Sequence, residues 1–308
     1  MPDASLVVSV PVVELHDALV DLPGGVVVVH WAMEGPAPQE VIDIVVQPYM
    51  GTVASLGQLA SVRTRLVQSQ SVGYDGVADV LPAGLVFANA ATVHETSTAE
   101  LTMALILASQ RGIADFVRAQ ERGLWARAPY PSLADRTVLL VGYGGVGRAI
   151  ESRLLAFETT VVRLARRARR DERGEVHAME SLHELLPQAD IVVVCVPLTS
   201  ETTHLIDDSF LSLMRDGSLL VNVARGPVAD TQALLAHATS GRLRVALDVT
   251  DPEPLPPGHP LFALTNVLIS PHVGGLSSAM LPRMVRLLRV QIDRMLRGEE
   301  PINVVLRT

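Results

Sequence analysis

Val138-Leu-Leu-Val-Gly142-Tyr143-Gly144-Gly145-Val146-Gly147 is an apolar run leading straight into G-x-G-x-x-G. That spacing suits a pyrophosphate. The first glycine permits a tight turn, the second lets backbone approach the phosphates, and the third packs the following helix on the strand. The expected helix would face the phosphates with its positive end. One strand further on, Val161-Val-Arg-Leu-Ala165 ends without the acid that accepts a ribose 2′-hydroxyl, and Arg166 and Arg167 follow at once. A guanidinium binds a 2′-phosphate where a carboxylate would repel it. These residues predict a preference for NADP(H), with NAD(H) still possible. Alternatively the two arginines are a solvated loop and Asp171 or Glu172 folds back onto the ribose.

Three more segments carry polar residues where strands should end: Asn222-Val223-Ala224-Arg225-Gly226, Asp248 to Glu253, and Ser270-Pro-His272-Val-Gly274. Singly, each has a plain explanation: a surface ion pair, a solvated Glu among prolines, a His capping a turn. Together they fall where open α/β sheets place their ligands. Arg225 has the fork to bind a carboxylate and polarise an adjacent carbonyl. No His/Asp/Glu spacing resembles a metal site, so none is expected. Cys195 is the lone cysteine, which rules out a disulfide framework within the chain. All 25 basic residues are Arg, which excludes a Schiff-base lysine. A net charge of −8 argues against a nucleic-acid partner.

The elements that would position these groups follow from hydrophobic pattern. Leu6–Val10, Val26–His30, Ile44–Pro48, Arg65–Ser69 and Leu85–Asn89 read as short buried strands. Residues 96–119 read as one long helix, followed by a polar link over 123–135. A second strand–helix series covers 137–141, 160–164, 191–196, 218–222, 244–248 and 267–270, and helical spacing returns over 277–297. Residues 166–173 form the only cluster of basic charge. Strand–helix alternation over 308 residues implies α/β architecture with doubly wound parallel sheets in two domains. Apolar runs are far shorter than the roughly 18 residues of a spanning helix. No basic stretch precedes an apolar one near Met1, so a cytoplasmic location is expected.

Taken in order, these motifs resemble the D-isomer-specific 2-hydroxyacid dehydrogenase family. Asp190-Ile-Val-Val-Val-Cys195-Val196-Pro197-Leu-Thr199-Ser-Glu-Thr202, Ser69-Gln-Ser-Val72-Gly73-Tyr74-Asp75 and Thr98-Ala-Glu100 add to the likeness, which runs from about Arg65 onward. The wording of Ser71–Asp75 and Asp251–Pro256 is nearest the glyoxylate/hydroxypyruvate reductase branch. The resemblance implies a flavodoxin-like substrate domain (residues 1–97 with 280–308), a Rossmann cofactor domain (98–279) and a cleft between them. It also implies hydride transfer from NADPH to a small 2-oxo acid, giving a D-2-hydroxy acid. In that scheme Arg225 binds the substrate, His272 is the acid, and Glu253 is its partner, favouring the imidazolium. Val72, Gly73 and Tyr74 would hold the substrate carboxylate. Cys195, Val196, Pro197, Thr202, Val223, Ala224, Asp248 and Gly274 would join the glycine turn around the coenzyme. Family members are commonly homodimers, and the apolar stretch 101–108 is consistent with such an interface or with ordinary core.

The chain departs from the family pattern in places. Ala165 replaces the strand-end acid, Glu158 stands where glycine is usual, and the stretch 241–248 is about one residue short, which could shift the strand before Glu253. The loop 89–95 lacks the usual Pro-Gly. His94 lies in that loop, and Gln47, Pro48, Tyr49 and Met50 could line the far wall of the substrate pocket. Two rivals remain open at this stage: a non-catalytic NAD(P)-sensing protein of the same fold, and a dehydrogenase for another small anion such as phosphite.

Overall fold

The computed structural model describes residues 6–308. The chain divides into two compact units, Met1–His94 with Ser277–Thr308, and Glu95–Leu276.

In the first unit the strands are β1 (Leu6–Val10), β2 (Val26–His30), β3 (Ile44–Val46), β4 (Leu66–Gln68) and β5 (Val86–Ala88). They pair in parallel in the order β5-β4-β3-β1-β2, the flavodoxin-like winding. The C-terminal strand Val304–Arg307 adds to β5 antiparallel. Both faces of this sheet are covered, so the inner strands are almost wholly apolar, with buried Ser9 and Gln68 as exceptions. Val8, Val10, Ile44, Val46 and Leu66 pack on one side against α1 (Val13–Asp17) and the C-terminal helix Met280–Leu296. That helix contributes Met284, Leu287, Leu288, Ile292 and Met295. Val7, Val45, Val67 and Phe87 face the other way, onto Trp31, Met33, Leu56 and Leu59.

The second unit holds β6 (Thr137–Val141), β7 (Thr160–Ala165), β8 (Arg169–Asp171), β9 (Gly174–Ala178), β10 (Ile191–Val194), β11 (Leu219–Asn222), β12 (Arg244–Leu247) and β13 (Val267–Ile269). Their order is β13-β12-β11-β10-β6-β7-β9-β8, and all pairs are parallel except β8–β9. The strand order reverses at the β6/β10 seam, the switch point at which doubly wound sheets bind ligands. Alternate residues serve opposite layers. Leu139, Val141, Val192, Val194 and Leu220 meet Leu182 of α5 (Leu182–Leu185), Phe210 and Leu211 of α6 (Asp208–Leu213) and Leu234 of α7 (Thr231–Thr239). Val138, Leu140, Val193 and Val221 meet α2 (Glu95–Gln110) and α4 (Gly145–Leu154). No helix among the described residues is long and apolar enough to cross a membrane.

Several sequence expectations change here. The long helix over 96–119 is two helices, because Gly112 adopts φ +64° and α3 (Ile113–Glu121) starts afresh. A Cβ at Gly112 would also lie 2.2 Å from the Tyr130 ring. The basic run 166–173 is not all loop: it includes β8, half of a β8–β9 hairpin at the sheet edge. The stretch 101–108 supplies Met103, Leu105 and Ile106 to the core, so it offers little as an interface. The short stretch 241–248 leaves β12 in unbroken register with β11 and β13. Glu158, where glycine was expected, takes φ +58°.

Candidate functional site

The glycine turn joins β6 to α4, and each of its three motif glycines answers a separate demand. Gly142 has φ +106°, and a Cβ there would sit 2.7 Å from the Cys195 carbonyl oxygen across the β6/β10 seam. Gly147 allows α4 to close on the turn, since its Cβ would stand 2.4 Å from the Gly142 oxygen. Gly144 has nothing within 4 Å of a Cβ position, which leaves its backbone open to an incoming group. With Gly145 and Val146 in the first turn of α4, these residues fit a dinucleotide pyrophosphate.

Tyr143 anchors this turn from behind. Its hydroxyl donates to Glu151 at 2.5 Å, and Glu151 is fully buried and also bound by Arg163 and by Arg173. Burial pushes the Tyr143 phenol up, and its hydrogen bond to Glu151 adds to this. Burial alone would raise the Glu151 carboxyl, yet hydrogen bonds from Arg173, Tyr143 and Arg163 hold it below its ordinary value. Arg148, Arg163 and Arg169 approach the Tyr143 ring at 5.2, 5.8 and 5.7 Å, and Arg169 donates to the Tyr143 carbonyl at 2.8 Å. Arg148 takes Asp171 at 2.6 Å and Glu172 at 2.9 Å. Arg166 and Arg167 follow β7 on an exposed turn. Beyond its basic composition nothing in the sequence signals this cluster; the hairpin that folds Arg169 and Arg173 back toward the glycine turn and α4 creates it.

Along the same carboxyl edge of the sheet, β10, β11, β12 and β13 deliver the remaining groups. Cys195, Val196 and Pro197 follow β10. The Cys195 thiol donates to the Gly142 carbonyl at 3.0 Å, and desolvation pushes it up to about 12. Thr202 closes that loop, its hydroxyl donating to the Pro197 carbonyl at 2.7 Å. At the end of β11, buried Asn222 accepts from the Ala224 N–H at 3.0 Å and donates to the Arg225 carbonyl at 3.2 Å, which fixes the turn Val223–Arg225. Arg225 itself donates to the Ala224 carbonyl at 2.7 Å. Asn222 was not assigned a role from sequence; its place inside a strand-end polar segment was the available signal.

Asp248 directly follows β12 and is 3% exposed. Its carboxylate accepts from the Ser270 hydroxyl at 2.7 Å and from the Val273 and Gly274 N–H groups at 2.9 Å each. Its carbonyl accepts the His272 N–H at 2.8 Å. The 270–274 loop is thus bracketed on one residue, and this holds His272 at φ +53°. His272 Nδ1 lies 2.5 Å from Glu253 Oε1, the side chains being partly exposed at 24% and 38%. With Nδ1 engaged by a carboxylate, Nε2 is the ring nitrogen left for other chemistry.

The first unit places Val72, Gly73 and Tyr74 just beyond β4, where the Asn89 side chain donates to the Val72 carbonyl at 2.8 Å. His94 is buried, its Nε2 2.6 Å from the Gln70 carbonyl, and it stacks on Tyr49 at 5.4 Å. Among the described residues no group of His, Cys, Asp or Glu could hold a metal ion.

The model for "D-isomer specific 2-hydroxyacid dehydrogenase, NAD binding domain" matches residues 103–274. A glyoxylate reductase of Thermofilum pendens is 35% identical over 253 residues, covering 79% of this chain and 75% of the relative. A D-isomer specific 2-hydroxyacid dehydrogenase of Xanthobacter autotrophicus, solved with NADPH and MES, is 28% identical. It has a TM-score of 0.83, and 98% of each chain is covered. An NADPH-dependent glyoxylate/hydroxypyruvate reductase of Sinorhizobium meliloti, solved with NADP and malonate, is 25% identical. Its TM-score is 0.80, with 98% of this chain and 97% of that one covered. The glycine turn at the β6/β10 seam, the His272–Glu253 pair and these matches agree: the chain belongs to the D-isomer specific 2-hydroxyacid dehydrogenase family.

Proposed function

We propose that the protein is an NADPH-dependent reductase of small 2-oxo acids of the glyoxylate or hydroxypyruvate type. The observation that carries this reading is the 2.5 Å contact between His272 and Glu253, on the same sheet edge as Arg225 and the glycine turn. Gly142 to Gly147 hold the pyrophosphate, and residues 195–197, Thr202, Val223, Ala224, Asp248 and Gly274 shape the nicotinamide side. Bound there, the coenzyme supplies a hydride. Arg225 binds the substrate carboxylate and polarises the carbonyl; the Val72 and Gly73 N–H groups, beside Tyr74, hold the carboxylate in turn. As the carbonyl carbon accepts hydride, its π electrons move to oxygen and the proton on His272 Nε2 is donated there. The products are a 2-hydroxy acid and neutral imidazole. Glu253 keeps the ring oriented throughout.

The NADP preference rests on Ala165 and exposed Arg166 and Arg167. Engagement of Asp171 and Glu172 by Arg148 adds support, because it occupies the carboxylates that would otherwise reach a ribose diol. Exposed Ile113, Phe116, Val117, Leu124 and above all Trp125, 92% exposed, suit burial between two copies in a homodimer. A cytoplasmic site of action fits a reductase drawing on NADPH. The test is steady-state oxidation of NADPH and NADH with glyoxylate, hydroxypyruvate, pyruvate and phenylpyruvate, alongside Arg225→Ala. NADPH turnover lost in the variant supports the reading. Coenzyme binding without turnover of any acid refutes it.

A further inference from the structure

At the opposite edge of the second unit's sheet, a cavity of about 210 Å³ opens where four neighbouring strands begin. Arg136 precedes β6, Asp190 precedes β10, Ser218 precedes β11, and Arg244 is the first residue of β12. Arg215 and Gln110 complete the lining that matters. A five-residue strand separates this edge from the glycine turn, roughly 17 Å at the usual rise.

The charges here do not balance. Asp190 faces Arg215 at 3.3 Å and Arg136 at 3.7 Å. The nearby Asp216 is already paired with Arg242 at 3.1 Å. Among the described residues Arg244 finds main-chain acceptors alone, the carbonyls of Gly217 at 3.1 Å and Ser109 at 3.4 Å. Burial, with the charge of Arg136 beside it, lowers its pKa below the ordinary arginine value. A guanidinium withdrawn from water beside another is costly unless an anion compensates it. Two further groups lack a partner among the described residues: Ser218 Oγ and Gln110 Oε1, on side chains 4% and 1% exposed. One can donate to an anion and the other can accept from a hydroxyl.

We infer that this cavity is a second anion site, distinct from the coenzyme turn, for a small oxyanion that also carries a hydroxyl. Inorganic phosphate and small hydroxy-dicarboxylates share that chemistry. The three arginines provide the cationic fork, Ser218 a further donor, and Gln110 the acceptor for the ligand's hydroxyl.

Isothermal titration of the full chain with phosphate, and separately with malate, tests the site and distinguishes the two sources. Saturable binding of either anion is expected, weakened at least tenfold in Arg244→Gln and in Arg215→Gln, with melting temperatures retained. Binding that survives both substitutions belongs to the coenzyme turn or the substrate site and overturns the inference, as does the absence of saturable binding by both anions. The Arg215 side chain is 55% exposed, so its variant remains a fair test should Arg244→Gln fail to fold. None of these readouts depends on coenzyme or on turnover, so the proposed reductase activity stands or falls separately.

Discussion

Gly226, next to Arg225, offers a sharp test of how the arginine proposed to bind substrate is positioned. Its φ is not in the left-handed region, so alanine meets no dihedral objection; the objection is space. A Cβ there would lie 1.8 Å from the Thr250 carbonyl oxygen, 2.3 Å from its carbon and 2.9 Å from the Asp251 nitrogen. An ordinary carbon–oxygen contact is about 3.3 Å, so the two backbone segments must separate by about 1.5 Å. The atoms in the way are main chain and cannot rotate aside. Overpacking of this kind costs about 1–3 kcal/mol of stability. The displacement falls between Arg225 and the segment leading to Glu253, and a misplacement of about 1 Å near reacting groups lowers rate about 100-fold. Gly226→Ala should therefore stay folded while kcat/KM for glyoxylate with NADPH drops about 100-fold, or ~2.7 kcal/mol of transition-state stabilisation. Gly241→Ala is the control. It has open space and φ +74°, so it loses about 1–2 kcal/mol of stability through backbone strain with unchanged kinetics. A folded Gly226→Ala enzyme with kcat/KM within about threefold of the parent would refute the positioning argument.

Glu151→Gln should cost about 3–5 kcal/mol at neutral pH, because Arg163 and Arg173 lose their buried partner. Since the folded-state carboxyl is depressed, its contribution is complete above the ordinary value of 4.5 and is lost as pH falls through the depressed one. Urea midpoints should therefore fall more steeply below that pH for the parent than for the variant. Cys195, its thiol pushed up to about 12, should resist iodoacetamide in the native protein at pH near 8 and be labelled fully in denaturant, as read by mass spectrometry. Glu158→Gly should relieve the φ of +58° and raise stability by about 0.5–1 kcal/mol in thermal melts, with activity unchanged.

Much of this was legible in the sequence because parallel strands buried on both faces announce themselves as continuous apolar runs. Ile191–Val194 needs no partner information to be placed. The glycine turn was legible for the same reason that it works: Gly142 and Gly147 each meet a close steric limit, and Gly144 leaves its backbone open. What escaped were features set by partners distant in sequence. The strand Val304–Arg307 forms because β5 presents an open edge. The β8–β9 hairpin hides in a run of charges because its arginines point back to Tyr143 and Glu151 rather than to apolar core. Gly112 was visible, but its effect on the helix depended on Tyr130, 18 positions away. The bracketing role of Asp248 became clear only when the loop after β13 met it, and that of Asn222 only from the turn it closes with Ala224 and Arg225.

The first unit is assembled from both ends of the chain, while the second is one uninterrupted stretch. This sets an order of events during synthesis. The 95–276 segment has its whole core in hand once it has left the ribosome and can fold at once. Strands β1 to β5 emerge earlier yet must wait, because Met284, Leu287, Leu288, Ile292 and Met295, which cover one face of their sheet, follow only after the 95–276 segment. Throughout that interval a row of valines, isoleucines and leucines lies uncovered, a natural client surface for a chaperone. The helix carrying Met284 to Met295 thus decides when this sheet stops being vulnerable.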